Sequence, residues 1–357
     1  MYKVSVVIPT LNRAAVLAST IDCIERQTLS HNVYEVLVID NNSSDDTQAI
    51  LAAKVAAYPN LRAFSQRKRG AAATRNVGIQ EAVGDVVLFI DDDIFAEPGL
   101  IEAHLEYHRK NPESSIIGEV VSPWDQATDP FLRYLRDRRI FNPYSIARGP
   151  MDFSYYHTGN VSTHRKLLVQ AGRFNEEFSF YGMEDIELGY RLEKKLACRM
   201  VSGPSAKAFH QYYPTYEYFI ERCRQAGYSL GKLIDLHPEL KDRFIENGRR
   251  TRLLKRFHLL YRIFSSVSAP LYRILKRSEE QRGTGSVNEM LDQYYFWAVR
   301  YHFFLGYSQY VRYAAAGQAA HSVLRLGRER IPLLTPAREQ VKSAEPSPWI
   351  RLNAERD

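Results

Sequence analysis

The chain has 357 residues, 45% hydrophobic and 25% charged, a balance typical of a globular protein with a large core. Its net charge of +7 at pH 7 favours an anionic partner, namely a nucleotide phosphate, a membrane surface or nucleic acid. No apolar run approaches the ~20 residues needed to cross a bilayer, so we expect the protein not to be integral to a membrane.

Cysteine usage and the first residues bear on the compartment. Cys23, Cys198 and Cys223 are widely spaced and form no C-x-x-C pair or Cys/His metal motif. This usage predicts structural thiols and a reducing compartment, which we expect to be the cytoplasm. The first three residues run directly into a predicted strand, so we expect no signal peptide.

Strands and helices are predicted to alternate over the first 110 residues. Apolar runs at residues 4–8, 36–39, 61–65 and 86–90 have the composition of buried strands, and a segment of helical periodicity follows each of them. Their spacing of about 30 residues predicts an α/β fold in which helices flank a mostly parallel central sheet.

The elements predicted beyond residue 110 are shorter. They are a strand at 116–121, a helix at 162–171, a helix at 186–195, strands at 196–201 and 206–209, and a helix at 215–236.

Two common phosphate-binding loops are missing from the sequence. No G-x-G-x-x-G follows the first predicted strand, and no G-x-x-x-x-G-K-[ST] occurs anywhere. A bound phosphate would therefore need a cation or Arg and Lys side chains instead of a glycine cradle.

Three consecutive carboxylates, Asp91, Asp92 and Asp93, follow the predicted strand at 86–90. Adjacent like charges repel, and burying them alone would cost several kcal/mol or force protonation. A divalent cation removes that cost, and open α/β sheets bind ligands at the carboxyl ends of their strands, where this cluster should lie. Taken alone, the triplet favours a solvated acidic turn equally, since Asp is common after strands.

A second acidic pair, Glu184 and Asp185, stands at the start of a predicted helix. Acids in a first turn complement the helix dipole, so position alone favours a structural role over a general base or an acceptor-binding carboxylate. His210 ends a predicted strand, where a lone histidine is more often a structural hydrogen-bonding group than a metal ligand.

Five motifs within residues 3–230 occur in one order and on matching elements. They are SVVIPTLNR at 5–13, DNNSSDDT at 40–47, the segment 70–78 with Arg75-Asn76, the triplet at 91–93, and GMEDIEL at 182–188. In this combination the sequence resembles the family 2 glycosyltransferases with a GT-A fold. One departure is Met183, since many relatives carry Trp at this position.

The resemblance implies a nucleotide-sugar donor and assigns residues to its site. Pro9 and Thr10 would line the nucleobase pocket, with Asn12 in the same motif. Asp40 would accept the imide hydrogen of uracil or thymine, so the implied donor is a UDP- or dTDP-sugar. Arg75 would reach the base or the diphosphate.

The resemblance also implies a metal, Mn²⁺ or Mg²⁺, and inversion at the anomeric carbon. Asp91 and Asp92 would contact the ribose and the water shell of the metal, and Asp93 would bind the metal directly. His210 lies where related enzymes have a histidine near the metal or the diphosphate.

On the acceptor side, the resemblance implies that Glu184 holds a sugar hydroxyl and that Asp185 is the general base. Inverting transfer is a single in-line displacement, which needs one base at the acceptor and one electrophile at the leaving group. The predicted function is transfer of a sugar to a hydroxyl of a glycan or a lipid-linked glycan. Two alternatives stay open: a nucleotidyltransferase acting on sugar phosphates, and a non-catalytic module that binds a membrane or a partner.

The character of the chain changes after about residue 240. Residues 249–277 carry nine basic residues and no acidic one, with apolar residues at helical spacing. This segment either packs on the catalytic domain or lies peripherally on an anionic membrane, at its cytoplasmic face. No recognition motif accompanies the charge, so we do not expect nucleic acid as a partner.

An aromatic-rich helix at 294–313 is assigned to the core or to the surface of a homo-oligomer. The predicted organisation is a GT-A catalytic domain at 1–240, a helical basic and aromatic region at 241–335, and a polar tail at 336–357.

Overall fold

A mixed sheet of eight strands lies at the centre of the protein in this computed structural model. The structure describes residues 3–122, 129–138, 151–246 and 285–316. In chain order the strands are β1 (Val4–Thr10), β2 (Tyr34–Asp40), β3 (Leu61–Ser65), β4 (Val86–Ile90), β5 (Ile94–Ala96), β6 (Ser114–Val121), β7 (Asn160–His164) and β8 (Arg199–His210).

Helices follow most of these strands. In chain order they are α1 (Ala14–Glu25), α2 (Thr47–Ala57), α3 (Ala71–Glu81), α4 (Leu100–Lys110), α5 (Pro130–Asp137), α6 (Arg165–Gln170), α7 (Glu184–Leu196), α8 (Tyr216–Leu236) and α9 (Gly285–Ala315). Short 3-10 turns occupy Phe153–Tyr155 and Pro238–Leu240, and a π-helical turn occupies Asp242–Glu246. In the part of the chain that the structure describes, no helix is both long enough and apolar enough to span a bilayer.

The strand order across the sheet is β3-β2-β1-β4-β7-β6-β8-β5. The first four of these strands are mutually parallel, and β6 is parallel to β8, whereas β7 is antiparallel to both of its neighbours and β5 is antiparallel to β8. The predicted α/β class with a mostly parallel sheet flanked by helices is confirmed. Parallel neighbours result from the strand–helix–strand units of the first 110 residues.

The strands are apolar throughout because both faces of the sheet are covered. All five residues of β4 are buried, and their side chains alternate between two hydrophobic clusters. Val7 and Phe89 belong to one cluster, whereas Ile8 and Leu88 belong to the other. This two-residue period places one cluster on each face of the sheet.

Strand register brings polar residues to one edge of the sheet. Thr10 at the end of β1 is paired with Asp40 at the end of β2. The Thr10 hydroxyl also donates a hydrogen bond to Asp92, just beyond the end of β4. The antiparallel pair of β5 and β8 sets Ile94 opposite His210, which carries the end of β8 to the same acidic edge. Predicted site residues from three separate motifs, together with His210, therefore meet at one edge of the sheet.

Part of the secondary-structure prediction is wrong. The helix expected at 162–171 begins only at Arg165, because the preceding residues form β7 between β4 and β6. The two strands expected at 196–201 and 206–209 are one strand, β8, with an irregularity in its pairing to β6.

The C-terminal helix α9 packs closely along α8. A β-carbon added to Gly227 would lie 1.7 Å from the carbonyl oxygen of Phe303, and one added to Gly306 would lie 1.8 Å from that of Arg224. Only glycine allows the two backbones to approach this closely. Tyr295 of α9 is buried in a third, aromatic cluster with residues of α5 and α8.

Two predicted segments fall outside the described residues, namely the basic stretch 249–277 and the tail 336–357. The predicted boundary between residues 240 and 241 also stays a prediction.

Candidate active site

The acidic triplet is held in place by β1 and by the residues that follow it. Pro9 is half-buried at the end of β1, and Asp92 and Asp93 are buried. Thr10 Oγ1 donates to Asp92 Oδ2 at 2.7 Å. Arg13 Nη1 lies 3.6 Å from Asp92 Oδ1, and Arg13 Nη2 lies 2.9 Å from Asp93 Oδ2. Burial raises the pKa of Asp92 to about 7, although the charge of Arg13 opposes that shift.

Asp93 also contacts the end of β8. His210 Nε2 lies 3.4 Å from Asp93 Oδ1. Burial disfavours the ionised form of Asp93, but the charge and hydrogen bond of His210, together with the charge of Arg13, lower its pKa well below the ordinary range. The Asp93 side chain is therefore a carboxylate at neutral pH, bordered by an imidazole.

The carboxylate of Asp93 is the type of ligand that hard divalent cations prefer, whereas the imidazole of His210 is a softer ligand. Within the described residues, no group of three or more His, Cys, Asp or Glu side chains is placed to share a metal ion. Mg²⁺ typically binds to one or two carboxylates and takes its remaining ligands from substrate phosphates and water. A set of one carboxylate and one imidazole suits an ion bound together with a phosphate, rather than an ion enclosed by protein alone.

The Asp40 loop is a compact hydrogen-bonded turn beside this edge. Asp40 is 1% exposed, and its Oδ1 accepts from Ser43 N at 3.0 Å and Ser43 Oγ at 2.5 Å. Its Oδ2 accepts from Gln48 Nε2. Asn12, in the left-handed region at φ 55°, accepts from Ser44 N at 2.6 Å. Each carboxylate oxygen has two lone pairs, so a nucleobase contact at Asp40 would add to these bonds.

Arg75 of α3 joins the two acidic motifs. Its guanidinium donates from Nη2 to Asp91 Oδ1 at 2.8 Å and from Nη1 to Glu184 Oε1 at 3.0 Å. The prediction that Arg75 reaches the base or the diphosphate is untested, and the structure adds two carboxylate partners to this residue. Among the described residues, Arg75 Nε and Glu184 Oε2 are buried polar atoms without a hydrogen-bond partner.

A strained turn directs Glu184 and Asp185. Gly182 has φ 86° and Met183 has φ 72°, so two consecutive residues adopt left-handed conformations immediately before α7. Left-handed backbone is ordinary for glycine but costs a side-chain residue about 1–3 kcal/mol. The turn starts α7 at Glu184 and thereby sets both acids in its first turn.

The environments of Glu184 and Asp185 push their pKa values apart. Burial and the neighbouring charge of Asp185 raise the pKa of Glu184 to about 7. Burial also disfavours ionisation of Asp185, but the hydrogen bond and charge of His157 outweigh it and lower the pKa of Asp185. Such a pair of unequal carboxyl groups is the usual sign of divided roles, with the ionised member able to accept a proton.

His157 is a site residue that sequence reasoning missed. Its Nδ1 lies 3.4 Å from Asp185 Oδ2, and its side chain is 40% exposed. Burial lowers the pKa of His157, but the hydrogen bond and charge of Asp185, with smaller effects of Glu184 and Asp91, raise it overall. It lies in an irregular loop, where the one available signal was its position next to Thr158-Gly159-Asn160.

A buried polar network lies beneath the site and accounts for Asn160. The Asn160 Nδ2 donates to the carbonyl oxygens of Glu119 and Ala206, at 3.1 and 2.9 Å. Its Oδ1 lies 2.8 Å from Nε2 of His104 on α4. His108 Nε2, one turn further along α4, lies 2.8 Å from the Ser162 hydroxyl of β7. Burial lowers the pKa of His104 to about 4 and of His108 to about 3, so both rings stay neutral.

Comparison with known proteins extends this description. The model of glycosyl transferase family 2 matches residues 5–170. Chondroitin synthase of Escherichia coli is 28% identical over 251 residues, which cover 61% of this chain and 36% of that protein. Validoxylamine A glucosyltransferase of Streptomyces hygroscopicus subsp. jinggangensis is 30% identical over 217 residues, covering 53% of this chain and 50% of that protein. The chain therefore spans half or less of the length of these two relatives.

Solved structures share the fold. A mannosyltransferase from Pyrobaculum calidifontis, solved in complex with GDP-Man and Mn²⁺, matches with a TM-score of 0.55 at 18% identity, over 85% of this chain and 87% of that chain. S. aureus TarS matches with a TM-score of 0.50 at 16% identity, over 86% of this chain and 55% of that chain. The predicted GT-A type of fold is confirmed. The match of the family model to residues 5–170 and the named relatives show that this chain is similar to glycosyltransferases of family 2, and the solved structures share its fold.

Proposed function

We propose that this protein is an inverting glycosyltransferase that moves a sugar from a UDP- or dTDP-sugar to a hydroxyl of a glycan or lipid-linked glycan. The observation that carries the proposal is the Arg75 bridge, which sets the Asp91 and Glu184 motifs on either side of one guanidinium. A group-transfer enzyme needs donor and acceptor chemistry within a few ångströms of each other.

Names of similar proteins support the reaction class. The two curated relatives are a chondroitin synthase and a glucosyltransferase. The mannosyltransferase of the same fold was solved with a nucleotide sugar and Mn²⁺, which supports a divalent cation in this protein as well.

On the donor side, we assign Asp93 and His210 to hold Mn²⁺ or Mg²⁺, with Asp91 and Asp92 toward the ribose and the ion's water shell. When bound, such an ion neutralises charge on the diphosphate as the C1–O bond breaks. In the structure Thr10 and Arg13 hold the carboxyl groups of Asp92 and Asp93 in place through a hydrogen bond and two ionic contacts.

On the acceptor side, we assign Asp185 as the general base. The acceptor oxygen forms a bond to C1 from the face opposite the diphosphate, and its proton passes to Asp185. The low pKa of Asp185 keeps it ionised at neutral pH, ready to accept a hydrogen bond from that hydroxyl. Glu184 Oε2, which has no partner among the described residues, is suited to accept a bond from a second sugar hydroxyl.

A thermal-shift panel on the full chain tests the donor assignment. UDP, dTDP, GDP and their sugars are each added with and without Mn²⁺, and EDTA is added last. We expect a uridine or thymidine diphosphate to raise the unfolding temperature in the presence of Mn²⁺, because a ligand that binds only the folded state stabilises it. If no nucleotide raises it under any condition, the proposed function is wrong.

The substitution Asp185→Asn tests the base assignment. It keeps size and hydrogen bonding but cannot accept a proton, so we expect donor binding to persist while transfer falls by about 10²–10⁴-fold. Asp137→Asn, at an exposed carboxylate of α5, is the matched control and should transfer normally. Full transfer by the Asp185 variant would refute this assignment.

A further inference from the structure

Arg222 of α8 is enclosed by aromatic rings. The centre of its guanidinium lies 3.6 Å from the ring centroid of Tyr181, 5.5 Å from that of Tyr218 and 5.9 Å from that of Tyr212. Its Nη1 donates to the hydroxyl of Tyr218 at 2.8 Å. Ring faces attract a cation without neutralising it, so the positive charge of Arg222 is retained.

Arg222 differs from other partly buried arginines in its lack of a carboxylate partner among the described residues. Arg13, Arg75, Arg191 and Arg224 each have a carboxylate oxygen within 3.0 Å. Arg222 has no carboxylate within ion-pair distance among the described residues, and Nη1 donates to the phenol hydroxyl of Tyr218 instead. A guanidinium removed from bulk water without an anion is unfavourable, and a bound anion relieves that cost.

The aromatic neighbours of Arg222 connect it to both the His210 side and the Glu184 side of the candidate site. The ring of Tyr212 stacks on His210, with centroids 5.0 Å apart and planes at 9°. Tyr181, which lies under the guanidinium, belongs to the loop that leads into Glu184. The charge of Arg222 is also close enough to contribute to the lowered pKa of Asp93, after the larger effects of burial, His210 and Arg13.

We propose that Arg222 binds the diphosphate of the donor. This inference rests on the proposed function, because it needs a nucleotide diphosphate at that edge. Guanidinium groups present paired N–H donors that match phosphate oxygens, which makes arginine the preferred phosphate-binding side chain. When the C1–O bond breaks, its electron pair stays on the diphosphate oxygen, and Arg222 stabilises the charge that accumulates there.

The competing interpretation is structural. In that interpretation, stacking of Arg222 on Tyr181 only stabilises the packing of the loop before α7 against α8. The two roles differ in what they predict for nucleotide binding. If Arg222 is purely structural, its substitution should affect the binding of monophosphates and diphosphates equally.

Isothermal titration of the full chain with UDP, UMP, dTDP and dTMP in the presence of Mn²⁺ separates the two roles. We expect Arg222→Gln to weaken diphosphate binding about tenfold or more while changing monophosphate binding less than about twofold, because only the diphosphate reaches the guanidinium. Arg222→Lys keeps the positive charge but lacks the paired N–H donors of the guanidinium, so we expect an intermediate loss of diphosphate affinity. Arg224→Gln, two residues along α8 and paired with Glu221, is the matched control and should bind like the wild type.

The outcomes distinguish this inference from the function on which it rests. Equal affinity of the wild type and both Arg222 variants for the diphosphates would overturn the inference alone. A parallel loss for monophosphates and diphosphates, or an unfolded Arg222→Gln variant with an unaffected Arg222→Lys variant, would also overturn it in favour of the structural role. A wild type that binds none of the four nucleotides would overturn both proposals.

Discussion

Asp91 and Glu184, from motifs far apart in the chain, accept hydrogen bonds from one guanidinium, that of Arg75, at 2.8 and 3.0 Å. Without that cation the two carboxyl groups would share a partly dry site and repel each other. The Arg75 side chain is 6% exposed, so its charge is screened little by solvent. Arg75 therefore has a structural as well as an electrostatic role.

The first prediction concerns the loss of this bridge. Arg75→Met should lower the free energy of unfolding by about 3–5 kcal/mol, because it leaves the buried carboxyl group of Glu184 and the partly exposed one of Asp91 without their cation. Chemical denaturation at pH 7 measures the change. Lys68→Ala removes the exposed Lys68–Glu176 pair and should change stability by about 1 kcal/mol or less. Equal effects of the two substitutions would contradict a special role for Arg75.

The second prediction concerns the His157–Asp185 pair. His157→Phe removes the hydrogen bond and charge that lower the pKa of Asp185, so that pKa should rise. The proposed role of Asp185 as general base requires its ionised form, so the acid limb of the pH profile of kcat/KM should move to higher pH. Activity should consequently fall more at pH 6 than at pH 8.

The control for this experiment is His31→Phe. His31 also faces a carboxylate, with Nε2 3.3 Å from Glu25 Oε2, and its side chain is 41% exposed. We expect its pH profile to match that of the wild type. A uniform loss of activity at all pH values in the His157 variant would assign His157 a structural role only.

The third prediction concerns acid stability. Burial lowers the folded-state pKa values of His104 and His108 to about 4 and about 3, below the ordinary value of 6.5. Unfolded chains therefore take up protons between pH 6.5 and 4 that the folded protein does not, and stability falls as pH is lowered through this window. Each histidine contributes a slope of up to about 1.4 kcal/mol per pH unit.

Urea denaturation between pH 7 and pH 5 measures this slope. The double substitution of Gln for His104 and His108 should flatten the slope, even though it lowers stability at pH 7. Asp92 and Glu184, whose pKa values are raised to about 7, also titrate in this window, so the histidine contribution is read from the difference in slope between the wild type and the double variant. A slope that is unchanged in the double variant would contradict the assignment.

The fourth prediction concerns the contact between α8 and α9. Gly306→Ala should lower stability by about 1–3 kcal/mol, because its β-carbon would meet the Arg224 carbonyl oxygen and force the two backbones apart. Gly99→Ala is the matched control, since no atom lies within 4 Å of the added β-carbon. Thermal unfolding of the two variants gives the comparison, and similar transition temperatures would contradict the close packing.

How much could be predicted from the sequence depends on whether a residue is placed by strand register or by tertiary packing. Thr10, Asp40 and the carboxylates after β4 lie at the ends of buried strands. The carboxyl ends of parallel strands lie at the same edge of a sheet, independently of the remaining elements. Their approximate location was therefore predictable from apolar runs alone.

Residues placed by packing could not be predicted in this way. His157 lies in an irregular loop, and Arg222 of α8 contacts the rings of Tyr181 and Tyr212, which come from two other segments of the chain. No hydrophobic periodicity in the sequence indicates that such residues lie at the site. The strand β7 was mistaken for helix because its polar sequence, NVSTH, is stabilised by its neighbours β4 and β6 and by the buried network around His104.

The contacts of Arg13 have a consequence for the order of events. Arg13 acts as an internal counter-ion, since it already satisfies the carboxylates on which a cation would settle. In the proposed metal site, Arg13 would have to release Asp93 Oδ2 before both oxygens of that carboxylate could bind a cation, and the released guanidinium would gain most from a phosphate bound beside it. Each ligand should therefore raise the affinity for the other. The affinity measured for the ion alone, or for the nucleotide alone, should be lower than its affinity in the presence of the second ligand.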